Sequence, residues 1–206
     1  LKEALELPES DLPSATAMLE ARFLAGDAGL YQTFMRDYAA LVSSVTPEGL
    51  IQRLRQEQAA RHSKFGDTIY LLEPDVKSGP GGIRDMCVGR WAAQARFGTG
   101  DPRALAARGE VAPRHADAFE AARDWLLKAR AALHLVSGRK QDQLRFDLQE
   151  KIAAIMYGNV KEDPGRVRSE LAPAVEALMR DYQLHAGTIS RETERLLQRA
   201  NTDPDR

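Results

Sequence analysis

Tyr70-Leu-Leu-Glu-Pro-Asp-Val-Lys-Ser-Gly-Pro-Gly-Gly-Ile-Arg-Asp85 places two carboxylates, a lysine and a glycine-rich turn between an apolar run and a helical pattern. Thr68 to Leu72 reads as a short buried strand, and Asp75 and Lys77, two positions apart, would then project from one face of an extended chain. Gly79, Gly81 and Gly82 permit close approach of backbone amides to an anion, while Pro80 fixes φ just before a new helix. A carboxylate that holds a divalent cation beside a lysine that meets phosphate is a recurrent pairing in nucleotidyl chemistry. The same residues also fit a plain strand-to-helix connection. The spacing is neither a Walker loop nor a dinucleotide fingerprint.

Outward from this stretch the apolar residues step at helical intervals. Upstream, Ala15, Met18, Leu19 and Phe23 form a stripe that predicts a helix ending at Gly26. Asp27 is placed to cap a second helix carrying Leu30, Phe34 and Tyr38. Pro47 opens a third, with Leu50 and Leu54 inward and Arg55, Arg61 and Lys64 outward, broken at Gly66-Asp67. Downstream, Ile83, Met86, Trp91 and Phe97 share a helix that stops near Gly98. Phe119, Ala122, Leu126, Ala129, Leu133 and Val136 predict a long helix from Pro113 to Ser137, ended by Gly138. Asp147 and Glu150 suggest a capping box for the next helix. A polar loop from Gly158 to Gly165 follows, then a last helix from Pro173 and a loose tail over 201–206. No fixed-period repeat or low-complexity run interrupts this pattern.

A chain of 206 residues with 43% apolar content can bury a full core. The formal net charge of −1 leaves no global basic field, which argues against nucleic-acid binding. Cys87 is the single cysteine, so neither an internal disulfide nor a cysteine zinc cluster can form, as expected of a cytoplasmic protein. No apolar run is long enough to span a bilayer and no signal peptide is visible. With Leu1 as its first residue, the chain reads as an excised segment.

Arg123, Leu127, Arg130 and His134 lie four, three and four positions apart on the long helix. Two arginines and a histidine thus share a face, either toward an anionic nucleotide or partner, or in a ladder of internal ion pairs. Arg139, Lys140 and Arg145 near that helix's end could bind an anion, or simply complement the helix dipole. His62, His115 and His185 show no usable pattern.

Leu72 to Asp85, quoted above, resembles the signature segment of the bifunctional uridylyltransferase/uridylyl-removing enzymes that modify the PII nitrogen-signalling protein. Leu19-Glu-Ala-Arg-Phe-Leu-Ala-Gly-Asp27, Ala132-Leu-His-Leu-Val-Ser-Gly-Arg139 with Arg145-Phe-Asp147, and Met179-Arg-Asp-Tyr182 carry the resemblance along nearly the whole chain. The family implies a nucleotidyltransferase domain, a helical segment, a His-Asp phosphohydrolase domain and two sensing domains. The present chain resembles the end of the first and the helical segment after it. No Gly-Ser pair occurs and no Asp-x-Asp precedes Leu19, so the paired carboxylates of such transferases are missing, as is the His-Asp motif.

The resemblance implies a mainly α fold, a bundle-like helical domain with a short β segment left over from an α/β nucleotidyltransferase domain. Residues 1–78 would end that domain, and 79–200 would form the helical one. It implies Asp75, or alternatively Glu73, as a catalytic and magnesium-binding carboxylate. Lys77, Arg22, Gly81, Gly82 and Arg84 would serve the nucleotide; Arg123, Arg130, His134 and Arg139, from their helical spacing and place at the helix end, are the candidates for a partner or anion face. Magnesium, UTP, PII and the missing domains are the implied cofactor and partners, and the chain alone is expected to be inactive. Two other readings stay open: a helical binding module without chemistry, and a piece of another nucleotidyltransferase, such as the one that adenylylates glutamine synthetase.

Overall fold

A computed structural model describes residues 11–44, 47–157 and 168–202. Eight helices occur among them: α1 (Leu12–Leu19), α2 (Ala28–Ser44), α3 (Pro47–Phe65), α4 (Ile83–Phe97), α5 (Pro102–Ala107), α6 (Pro113–Ser137), α7 (Phe146–Tyr157) and α8 (Arg168–Asn201). The architecture is mainly helical, as the apolar periodicity requires.

α8 is the spine, packed against α4, α6 and α7. Leu178, Tyr182, Ala186, Ile189 and Leu197 recur at intervals of three, four and eight, which keeps them on one side of a 3.6-residue helix, and all are buried. Burying each large apolar side chain is worth roughly 1.5–3 kcal/mol, so this stripe fixes the long helix against three others at once. Gly89 lets α4 approach closely: a Cβ there would lie 3.2 Å from Thr193 Cα and from Leu196 Cδ1. One core cluster joins α4, α6, α7 and α8 around Phe119, Leu126, Ile152 and Tyr182. A second, with Leu50, Ile51, Leu54, Val88 and Leu197, fills the angle between α3, α4 and α8.

Local signals set most ends. Asp27 Oδ1 accepts from Gly29 N at 2.7 Å and Leu30 N at 3.1 Å and starts α2. Gly98 (φ 69°) and Gly138 (φ 62°) take the left-handed conformation that ends α4 and α6. Asp101 caps the short α5, which apolar spacing did not signal, by accepting from Arg103 N.

Several expectations are corrected. No strand exists among the described residues: Thr68 to Leu72 are irregular, with a turn at Ile69 and Tyr70 and a bend at Leu72, and the one pairing nearby is an isolated antiparallel bridge between Asp75 and Gln143. The flanking bonds are Val76 N to Asp142 O and Leu144 N to Pro74 O, both 2.8 Å. A strand needs a ladder partner, and this segment is offered helices and one short link; Tyr70 and Leu72 accordingly stand 69% and 70% exposed. α1 stops at Leu19, short of Gly26, and Phe23 turns to Tyr31 with ring centroids 5.6 Å apart. Arg61, expected outward, is buried. α7 begins one residue before Asp147, its first amide bonded by Glu73 Oε1 rather than by a capping box. Pro173 lies inside α8 rather than at its start. Asn201 closes α8, and Thr202 is tied to Gln198 and Arg96, so the tail is held that far. Residues 203–206 and the loop at 158–165 lie outside the described residues.

Candidate functional site

The stretch from Glu73 to Gly82 folds as one wound loop that runs into the first turn of α4 at residues 83–85. Val76 is fully buried in the main core, which pins its centre. Asp75 turns the chain: its Oδ1 accepts from Lys77 N at 3.0 Å and Ser78 N at 2.6 Å, and its carbonyl accepts from Gly79 N. Arg84 N then donates to Lys77 O and Gly82 N to Gly79 O, so the loop carries its own backbone network. Gly81, at φ 70°, lies so close to Ala186 that a Cβ would collide with that residue's backbone. The amide of Gly81 is taken by Asp85 and that of Gly82 by Gly79, so both glycines serve the turn. Glu73 Oε1 accepts from Phe146 N at 2.7 Å.

Asp85, fully buried, is the rivet under this loop. It accepts from Arg61 Nη2 at 2.8 Å and Gly81 N at 2.7 Å, and lies 2.9 Å from His62 Nε2. Burial pushes its carboxyl up, but the His62 hydrogen bond and the Arg61 charge outweigh it and hold it below the ordinary carboxylate range. Arg61 also donates from Nη1 to Ser78 O and from Nε to Glu57. The Asp85 carbonyl accepts from Thr193 Oγ1 on α8. Through these bonds α3, α4 and α8 are locked to the loop.

On the loop's outer side, Lys77 joins two residues of α6. Asp142, in the link before α7, accepts from Arg130 Nε at 2.8 Å and lies 3.3 Å from His134 Nε2 and 4.0 Å from Lys77 Nζ. Burial raises its carboxyl, but Arg130, His134 and Lys77 together prevail and lower it. Residues assigned separately from sequence, Lys77 to phosphate and Arg130 with His134 to an anion face, thus form one basic ledge. Arg123 does not belong to it, since its guanidinium pairs with Glu120 and Asp124. Arg139 and Lys140 flank the ledge in sequence and form no ion pair among the described residues.

Arg22 is exposed elsewhere, lining a groove with Met35, Trp91 and Gln94 after α1. Arg84 is exposed at the start of α4. Among the described residues no three His, Cys, Asp or Glu side chains gather as a metal site. Asp75 spends one carboxylate oxygen, Oδ1, on the turn. Arg61, His62, Asp85 and Asp142 escaped the sequence reading. The adjacent Arg61-His62 pair and the acid closing the signature segment were the available signals for the first three; Asp142 had none.

These elements coincide with a known pattern. Residues 49–197 match the family described as GlnD PII-uridylyltransferase. The chain belongs to that family. The matched residues contain the loop, the Asp85 rivet and the basic ledge, and leave out Arg22. The chain is 36% identical over 196 residues to a bifunctional uridylyltransferase/uridylyl-removing enzyme of Xanthomonas campestris pv. campestris (strain B100), covering 92% of this chain and 21% of that protein. A namesake from Pseudomonas putida (strain W619) is 35% identical over 95% of this chain and 21% of its own length. One from Hydrogenovibrio crunogenus is 32% identical over 96% and 22%. The chain therefore spans about a fifth of the length of these relatives. No solved structure matches it. No helix among the described residues is long and apolar enough to cross a membrane.

Proposed function

We propose that this chain is the helical segment of a cytoplasmic enzyme that transfers UMP from UTP to a tyrosine of a PII signalling protein, and that its segment from Glu73 to Asp85, a loop and the first turn of α4, faces the nucleotide. In that reaction the tyrosine oxygen bonds to the α-phosphorus of UTP, pyrophosphate leaves and the hydroxyl proton passes to a base. The observation that carries the reading is the loop itself: a signature segment wound around its own hydrogen bonds, riveted from below by Asp85, with Lys77 outside beside Arg130 and His134. A rigid support with a half-exposed cation is what positioning of a phosphate chain requires. Magnesium arriving with UTP would find here only the second carboxylate oxygens of Asp75 and Glu73, without the paired carboxylates of such transferases, so the chain alone is expected to be inactive.

The test is made in the long protein. Asp75→Asn keeps an oxygen to accept the Lys77 and Ser78 amides but removes the charge, and Lys77→Ala removes the cation from the loop's surface. Each is expected to slow uridylylation of PII on the order of a hundredfold, the scale of a lost electrostatic stabiliser, with little change in melting temperature. Near-normal turnover in both variants would reduce the loop to scaffold.

A further inference from the structure

The ledge around Asp142 has more donors than it uses. Arg130 spends only Nε on Asp142, and neither of its Nη groups is hydrogen-bonded among the described residues. Lys77 Nζ, at 4.0 Å, is held by charge without an aligned hydrogen bond. His134 adds a third nitrogen at 3.3 Å. One carboxylate therefore faces two permanent cations and a titratable ring, and the side chains of Lys77, Arg130 and Asp142 are 28%, 27% and 13% exposed, open enough for a solute to reach. A guanidinium with a free fork beside an ammonium is the donor set that suits a phosphoryl group, because the fork takes two oxygens and the ammonium a third.

We propose that Lys77, Arg130 and His134 form a seat for a phosphoryl oxyanion, and that Asp142 is its built-in counter-ion, holding the three side chains together and competing with the ligand for them. A carboxylate in the seat has two consequences. It preorganises the cations when no phosphate is present, and it weakens phosphate binding by its own negative charge. Because Asp142 enters the fold through its backbone carbonyl, which accepts from Val76 N at 2.8 Å, changing its side chain leaves that anchor in place. The seat extends the reading of Lys77 given above and rests on it only for the ligand being a nucleotide.

Titration calorimetry of the chain at low salt with pyrophosphate, UTP and uridine tests the seat. Pyrophosphate and UTP are expected to bind saturably and uridine not to bind. Asp142→Asn should tighten pyrophosphate on the order of tenfold, as removal of one like charge at a partly buried site implies. Arg130→Gln and Lys77→Gln should each weaken it by a similar factor, while Arg123→Gln, outside the seat, leaves it unchanged. UTP binding tighter than pyrophosphate assigns the seat to a nucleotide, and equal binding assigns it to phosphate alone; either supports it. Absence of saturable pyrophosphate binding in both the parent chain and Asp142→Asn would show that the four residues only pair internally. Binding that ignores Arg130→Gln and Asp142→Asn would place the anion elsewhere. Intact seat binding together with unchanged transfer by the long protein carrying Lys77→Ala would keep the seat and remove its role in transfer.

Discussion

Asp85 and Asp142 are each met by one arginine and one histidine, yet the two clusters differ in what surrounds them. At Asp85 nothing is left over: its carboxylate takes Arg61, His62 and the Gly81 amide, while Arg61 spends its other nitrogens on Ser78 O and Glu57. At Asp142 Arg130 spends only its Nε and Lys77 stands off at 4.0 Å. The first carboxylate is fully buried and the second is in reach of solvent. Burial turns the first group into a rivet, because a partner removed from it strands a desolvated charge, whereas partial exposure leaves the second able to exchange partners.

The largest effect expected is at the rivet. Asp85→Ala strands Arg61, which has only 8% of its side chain exposed, and should cost about 3–5 kcal/mol of stability by denaturant unfolding. A loss below about 1 kcal/mol would mean that Glu57 and the Ser78 carbonyl suffice for Arg61, and the contrast between the two clusters would fail. Gly81→Ala attacks the same support from the backbone. Its positive φ and the collision with Ala186 predict a cost of roughly 2–4 kcal/mol, and a normal melting curve would show that α8 can yield at that point.

Acid sharpens the comparison. Both carboxyls are held below their ordinary value of 3.8, so each contributes stability that is fully present above that value and is lost as pH falls through the lower folded value. Unfolding free energy should therefore drop below about pH 4. Asp85→Ala should flatten this acid limb more than Asp142→Asn does, and equal slopes would show the two sites to be equivalent. The smallest effect is Asp142→Asn at neutral pH, expected within about 1 kcal/mol of the parent, as for a partly exposed pair. A larger loss would move the ledge into the class of the rivet.

Helices whose apolar stripes and stop signals agree were legible from the residues alone. α6 runs from Pro113 to Ser137 as its proline, stripe and Gly138 dictate, and α2 begins where Asp27 caps it. Arg61 was misread because a charged residue on a helix reads as solvated by default, and nothing local announces an acid arriving from 24 positions away. Thr68 to Leu72 was misread because an apolar run says only that a segment prefers burial, not that a partner strand exists. The basic ledge was half legible: Arg130 and His134 declared a shared face by their spacing, and Lys77 declared itself beside the glycine turn. Only the return of the chain at Asp142 put them together.

Periodicity, caps and breakers act over three or four residues, so this sequence by itself determined that the chain is helical, where most helices start and stop, and which segment is the signature. Ion pairing and close packing act between residues remote in the chain, so tertiary structure alone decided which charges are buried. It made Asp85 the support of the loop, set Gly81 against α8, and brought Lys77 and Arg130 to one carboxylate, because desolvation and partner geometry are properties of the folded neighbourhood and not of any local stretch.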